Sequence, residues 1–83
     1  MFYIKVNESG VRNQEHHVSV NNEDLYSVVR KLYKDGFSDV FEETGETKGF
    51  VRVFLNSRII ENLVGVKLKD GDEVDIVSAF SGG

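Results

Sequence analysis

One stretch of helical periodicity stands among several strand-like runs, and this constrains the fold more than any other feature. Leu25, Val28, Val29, Leu32 and Tyr33 recur at i, i+3, i+4, i+7 and i+8, which gathers them on one stripe of an α-helix. Asn21 or Asn22 is the expected N-cap, and Glu23 and Asp24 suit the positive end of the helix dipole. With Asn21 as cap, Val20 and Leu25 take the hydrophobic-staple positions. Lys31 and Lys34 belong to the last turns, and Gly36 is the expected left-handed residue that ends the helix. A single helix can cover only one face of a sheet, so the strands around it must form one layer with one covered side.

Those strands are read from alternation. Phe2, Ile4 and Val6 fall on one face, with Tyr3, Lys5 and Asn7 on the other. Glu8-Ser9-Gly10 reads as a turn, and 15–20 returns with His16, Val18 and Val20 on one side, giving an antiparallel hairpin with a loop at 8–14. Phe50-Val51-Arg52-Val53-Phe54-Leu55 is the strongest strand. Asn56-Ser57 turns the chain into a short strand at 58–61. Lys69-Asp70-Gly71-Asp72 is a tight turn before a last strand at 73–77. Phe37, Val40 and Phe41 have helical spacing and fit a short helical turn. Residues 42–49, with Glu42, Glu43 and Glu46, read as a solvated loop rather than a cation site. The expected class is α+β, a mixed sheet of about five strands with one main helix across one face. The first and last strands pair in parallel at its centre, since the chain between them is long enough for a crossover. That arrangement is the β-grasp, or ubiquitin-like, plan.

At 83 residues this is one small domain, with an expected stability of about 4–12 kcal/mol and little room for a deep active site. The reading places the domain at 1–78 and a flexible tail at 79–83. Hydrophobic residues at 40% and charged residues at 29% argue against disorder. The absence of cysteine excludes disulfides, thiolate metal sites and cysteine nucleophiles. No apolar run is long enough for a membrane span, and Met1-Phe2-Tyr3-Ile4-Lys5-Val6 lacks the pattern of a signal peptide, so a cytoplasmic location is expected. A net charge of −4 disfavours nucleic acid and anionic membranes and permits a basic protein partner. His16 and His17 are strand neighbours on opposite faces and do not share a metal; His16 is expected half-buried and His17 exposed. Asp70, Asp72 and Asp75 lack calcium-loop spacing, and neither a catalytic triad, a phosphate loop nor a zinc signature is present. The chain is therefore not expected to be an enzyme in its own right or to hold a cofactor.

The sequence closes on Ala79-Phe80-Ser81-Gly82-Gly83. Five extended residues reach about 17 Å past the last strand, at ~3.3–3.6 Å each. Gly82 and Gly83 have no Cβ, so they suit a narrow channel and place an α-carboxylate at the tip of a mobile arm. Carriers and conjugated modifiers need this, because the carboxylate has to enter another protein's active site. A frayed end with chance glycines is the alternative.

Three features together carry a resemblance. Val53-Phe54-Leu55-Asn56 is an apolar strand ending in asparagine. Lys69-Asp70-Gly71-Asp72-Glu73-Val74 follows it, and Gly82-Gly83 closes the chain. In these the sequence resembles the MoaD/ThiS-type ubiquitin-like sulfur carriers, a group that includes the molybdopterin synthase small subunit and the small archaeal modifier proteins. The resemblance is sharp over 51–83, although the proline that members often carry before the tail is missing: the chain reads Ser78-Ala79-Phe80. It implies that an ATP-using, ubiquitin-activating-type enzyme adenylates Gly83 and that sulfide equivalents convert the acyl-adenylate to a thiocarboxylate. The sulfur would then serve molybdopterin biosynthesis with a large synthase subunit. In the modifier branch, Gly83 would instead be joined to lysines of target proteins. A third reading is a non-covalent interaction domain with an inert tail.

Strand alternation also gives a docking surface. With Val51, Val53 and Leu55 turned to the helix, Phe50, Arg52, Phe54, Val77 and Tyr3 point to the helix-free face and form a partner-binding patch. The 37–49 segment folding over this face is the alternative. Phe80, at the root of the tail, either anchors in a partner pocket or packs on the sheet edge.

Overall fold

The computed structural model describes residues 1–10 and 13–78. The elements are β1 (Phe2–Ser9), β2 (Gln14–Val20), α1 (Leu25–Tyr33), a 3-10 turn (Lys34–Gly36), α2 (Phe37–Val40), β3 (Val51–Leu55), β4 (Arg58–Ile60) and β5 (Glu73–Ser78). They form one five-stranded sheet in the order β2-β1-β5-β3-β4. β1 and β5 run parallel at the centre, and every other neighbouring pair is antiparallel. The expected β-grasp architecture is the one observed.

The core lies between one sheet face and the helices. Ile4 and Val6 from β1, Val51 and Val53 from β3, and Val74 and Ile76 from β5 are buried against Leu25, Val28 and Val29 of α1. α2 adds Phe37, which stacks on Phe41 with ring centroids 5.2 Å apart. Leu63, in the segment between β4 and β5, is fully buried as well, although it belongs to no periodic run.

Several local expectations change. The helix cap is Asp24, not Asn21 or Asn22: its carboxylate accepts from the Ser27 amide at 3.0 Å. The cap position therefore lies just before Leu25, which leaves Val20 out of the staple register. Lys34, with φ 53°, takes the left-handed turn expected of Gly36, whose φ is −82°. The chain does not stop there; it runs through the 3-10 turn into α2, which buries Phe37.

β1 continues past the expected turn to Ser9, since Glu8 and Ser9 pair in parallel with Ile76 and Val77. Glu8 is consequently buried on the helix side. It accepts from Tyr33 Oη at 2.8 Å and lies 2.6 Å from His16 Nε2, so the half-buried His16 sits against a carboxylate. The 42–49 segment is a surface loop, as expected, with Glu42, Glu43, Thr44 and Glu46 exposed, but it is tied down. Phe41 bridges Thr47, Glu46 bridges Asn62, and the Tyr26 hydroxyl donates to the Glu43 carbonyl at 2.9 Å. Gly45 is buried there with φ 96°, and a Cβ would lie 2.6 Å from Asn62 Oδ1, so the loop closes onto 62–64 only with glycine at this position.

Candidate functional site

β5 is the strand that leads to the tail, and its end is held from both sides. Ser78 opposes Val51 of β3, while Val77 lies between Ser9 of β1 and Arg52 of β3. A central strand with pairing on both flanks has its backbone donors and acceptors satisfied, so the launch point of the tail is fixed in direction. Gly10 closes the arrangement. Its φ is 111°, and a Cβ there would lie 1.7 Å from the Ser78 carbonyl oxygen, far inside contact distance. The β1–β2 loop therefore lies directly on the last described residue of β5. Sequence reading treated Gly10 as an ordinary turn residue; its contact is 68 positions away along the chain and left no local signal. Phe80, Ser81, Gly82 and Gly83 lie outside the described residues.

The helix-free face of the sheet is set by register. Arg52 stands opposite Val77, and Phe54 lies between Asp75 of β5 and Ile59 of β4. Directly opposed residues on one face have Cβ atoms about 4.5–5.5 Å apart, so these side chains adjoin. Arg52 is exposed, Phe54 and Val77 are half-buried, and Ile59 is 54% exposed. The Arg52 guanidinium donates to the carbonyls of Gly49 (3.1 Å) and Val51 (2.9 Å), which holds it at the tail-proximal end of β3. Arg52, Phe54 and Val77 are thus brought together as expected.

Phe50 is not among them. It precedes β3 and packs against the buried core cluster, so alternation does not extend back to it. Tyr3 is 56% exposed on the same sheet face but on β1, nearer the other edge. Ile59 was missed by sequence reading. Its place follows only from the two-residue hairpin that sets it against Phe54. Asn56 (φ 51°) and Ser57 (φ 73°) both adopt positive φ there, as a tight β3–β4 turn requires. The 42–49 loop does not cover the patch. It is tied to the helix side through Tyr26 and by an ion pair from Arg30 to Glu43 at 2.7 Å, and it walls a groove at the sheet edge lined by Thr47, Arg52 and Ile59.

Two of the three features that carried the family resemblance, Asn56 and the 69–74 turn, meet at the other end of β3 and β5. Asn56 Nδ2 donates to Asp72 Oδ1 at 2.9 Å, and Asn56 Oδ1 accepts from the Glu73 amide at 2.9 Å. The other Asp72 oxygen accepts from the Lys69 amide at 2.8 Å. Asp72 is only 4% exposed, so these bonds satisfy a buried carboxylate. Asparagine at the strand end and aspartate after Gly71 form a lock that fixes the turn into β5.

A second carboxylate ties the helix to the long connection before β5. Asp24 accepts from the Gly65 amide at 2.7 Å as well as from Ser27. The Gly65 hydrogen bond is the main reason its carboxyl is held below the ordinary aspartate value, with burial opposing and the Ser27 amide adding to the effect. Glu23 is likewise lowered, chiefly by the Lys31 ammonium bonded to it and then by the Asn21 amide. Among the described residues, no helix is long and apolar enough to cross a membrane.

Comparison with known proteins agrees with this geometry. No curated protein sequence matches the chain. Among solved structures, SAMP1 from Haloferax volcanii superposes with a TM-score of 0.72 at 18% identity, over 98% of this chain and 99% of that one. The HVO 2177 protein of the same organism gives 0.68 at 22% identity, over 99% and 87%. A structure of the complex of subunits 1 and 2 of molybdopterin-converting factor from Helicobacter pylori gives 0.63 at 22% identity, over 99% and 100%. At these identities the likeness is one of fold. A sequence model of the ThiS family matches residues 23–83, from the approach to α1 through Gly83, and with that match over most of its length the chain belongs to the ThiS family.

Proposed function

We propose that the protein is a sulfur carrier whose Gly83 carboxylate is adenylated and then converted to a thiocarboxylate, and that it serves molybdopterin biosynthesis. The observation that carries this reading is the fixed root of the tail: β5 is paired on both sides as far as Val77 and with β3 as far as Ser78, and the sequence continues to Gly82-Gly83. Family membership supports the carrier role, and the likeness to the molybdopterin-converting factor complex supports a large synthase subunit as partner.

The chemistry is a division of labour. A carboxylate is a poor acyl donor. Reaction with ATP on an activating enzyme of the ubiquitin-activating type forms the acyl-adenylate and releases pyrophosphate. Attack by a sulfur nucleophile then expels AMP and leaves the thiocarboxylate. The partner supplies the ATP site and the stabilisation of developing oxyanion charge; the carrier supplies the reacting carboxyl group and a docking surface. Arg52, Phe54 and Val77, with Ile59 added, are that surface. A partly exposed apolar patch with an arginine at its tail-proximal end has the composition of an interface centre. In the sequence, Ser81 and Gly82 lead to Gly83, and Phe80 is proposed as a further partner contact. ATP-dependent activation places the protein in the cytoplasm.

The test is to append one residue after Gly83 and assay activation with the activating enzyme, ATP and sulfide. Loss of both adenylate and thiocarboxylate with an unchanged circular dichroism spectrum is the expected result. Undiminished sulfur transfer to the extended chain contradicts the proposal. Isopeptide-linked adducts in cells without any thiocarboxylate would assign the same tail to protein modification. Binding left unchanged by deletion of Gly82 and Gly83 would favour a non-covalent interaction domain.

A further inference from the structure

Among the described residues, Glu8 and Asp72 are the buried side chains that carry a carboxyl group. Asp72 fixes the turn into β5. Glu8 stands at the other pole, on the core face of β1 after Ile4 and Val6, where an apolar residue would continue the pattern. Burying a carboxyl group costs free energy that only its bonds return.

Those bonds come from two other elements. Tyr33 Oη, on the last residue of α1, donates to Glu8 Oε1 at 2.8 Å, and His16 Nε2, on β2, lies 2.6 Å from Glu8 Oε2. Tyr33 is itself set by an edge-on contact with Phe41, ring centroids 5.5 Å apart. Glu8 therefore joins the end of α1 and β2 to the end of β1. Directional bonds fix a strand more narrowly than apolar packing does. A slip of β1 by one residue would turn the Glu8 carboxylate to the opposite face and break both contacts.

The end of β1 is also what touches the root of the tail. Glu8 and Ser9 pair with Ile76 and Val77 of β5. The Ser9 carbonyl accepts from Ser78 Oγ at 3.4 Å, and the Gly10 backbone lies directly on the Ser78 carbonyl. Glu8 is thus two residues from the backbone contact on Ser78.

We propose that Glu8 is a positioning residue for the activation of Gly83: its contacts with Tyr33 and His16 hold the end of β1 in register, and the end of β1 holds Ser78 at the root of the tail. This rests on the carrier reading above. Docking and presentation are then separate tasks. Arg52, Phe54 and Val77 set how tightly the activating enzyme binds, and Glu8 sets where the carboxylate is offered. A misplaced reacting group lowers the rate of the chemical step more than it lowers affinity.

The experiment compares the full chain with Glu8→Leu, which keeps apolar bulk and removes both contacts, and with Glu8→Gln, which keeps the shape and an acceptor for Tyr33. For Glu8→Leu, amide hydrogen exchange about tenfold faster is expected at Val77 and Ser78, with unchanged rates at Lys69 and Glu73. Its kcat for adenylation should fall about tenfold at an unchanged KM for the carrier. Glu8→Gln is expected to return both readouts to within about twofold of wild type. Should Glu8→Leu not fold, Tyr33→Phe removes one bond and is expected to give the same pattern at about threefold. A Glu8 that serves stability alone would quicken exchange evenly through the sheet and leave kcat unchanged; that result overturns the proposal, as does exchange at Ser78 indifferent to Glu8→Leu. Activation that is intact in the wild type and equally fast in Glu8→Leu overturns the positioning role and leaves the carrier reading standing. A wild-type chain that the activating enzyme does not adenylate contradicts the carrier reading, and the positioning role falls with it.

Discussion

The two ends of the β3–β5 pair are built in opposite ways. At the turn pole, Asn56, Asp72, Lys69 and Glu73 are tied by short polar bonds around a buried carboxylate. At the tail pole the constraint is strand pairing on both flanks of β5, with the Gly10 backbone lying against Ser78. The first arrangement specifies a turn. The second fixes the end of a strand through its backbone. The Asn56 and Asp72 signature belongs to the turn pole, and the proposed site of activation, Gly83, belongs to the sequence beyond the other.

The largest effect that breaks this comparison comes from Gly10. Gly10→Ala places a methyl group against the Ser78 backbone at a φ that a side chain disfavours, and about 3 kcal/mol of stability is expected to be lost. Hydrogen exchange should quicken at Val77 and Ser78 before it does at Lys69. Asp72→Ala strikes the other pole. It removes the acceptor of two hydrogen bonds in a buried site, at about 2–3 kcal/mol, and should quicken exchange at Lys69 and Glu73 while leaving Ser78 protected. Urea denaturation gives the magnitudes.

A smaller effect sharpens the picture of what joins α1 to the connection before β5. Asp24→Ala removes the cap and the Gly65 bond, and about 1–2 kcal/mol is expected at neutral pH. The Asp24 carboxyl is held below its ordinary value, so the unfolded chain takes up this proton first as pH falls. Its contribution is therefore complete above the ordinary aspartate range and is lost as pH drops through the lowered folded value. The stability gap between wild type and Asp24→Asn should close on acidification; a gap that widens contradicts the assignment. Least of all in stability, Phe54→Ala together with Arg52→Ala should cost little and yet weaken capture by the activating enzyme or a large synthase subunit about tenfold or more, measured by calorimetry.

The fold was legible because its main signals are local. The stripe from Leu25 to Tyr33 and the alternation of Ile4, Val6, Val51 and Val53 each report which side faces the core, and one helix against several strands leaves few architectures. What was not legible depends on distant partners. Asp24 outcompetes Asn21 as cap partly because the Gly65 amide, 41 residues on, binds its second oxygen. Glu8 extends β1 as a buried residue because Tyr33 and His16 meet its carboxylate. The 42–49 loop closes because Asn62 and Leu63 come back to it. The patch on the helix-free face was partly readable. Alternation found Arg52, Phe54 and Val77 but carried Phe50 one residue too far, and Ile59 needed the register of a hairpin whose turn is set by two residues at positive φ.

The central claim is that Gly83 carries sulfur, and intact-protein mass spectrometry of the chain incubated with an activating enzyme, ATP and sulfide tests it most directly. The account predicts a mass corresponding to replacement of one oxygen by sulfur, with fragment ions that place the change on Gly83. A mass that stays unmodified under conditions where the enzyme turns over ATP with a known carrier would contradict it.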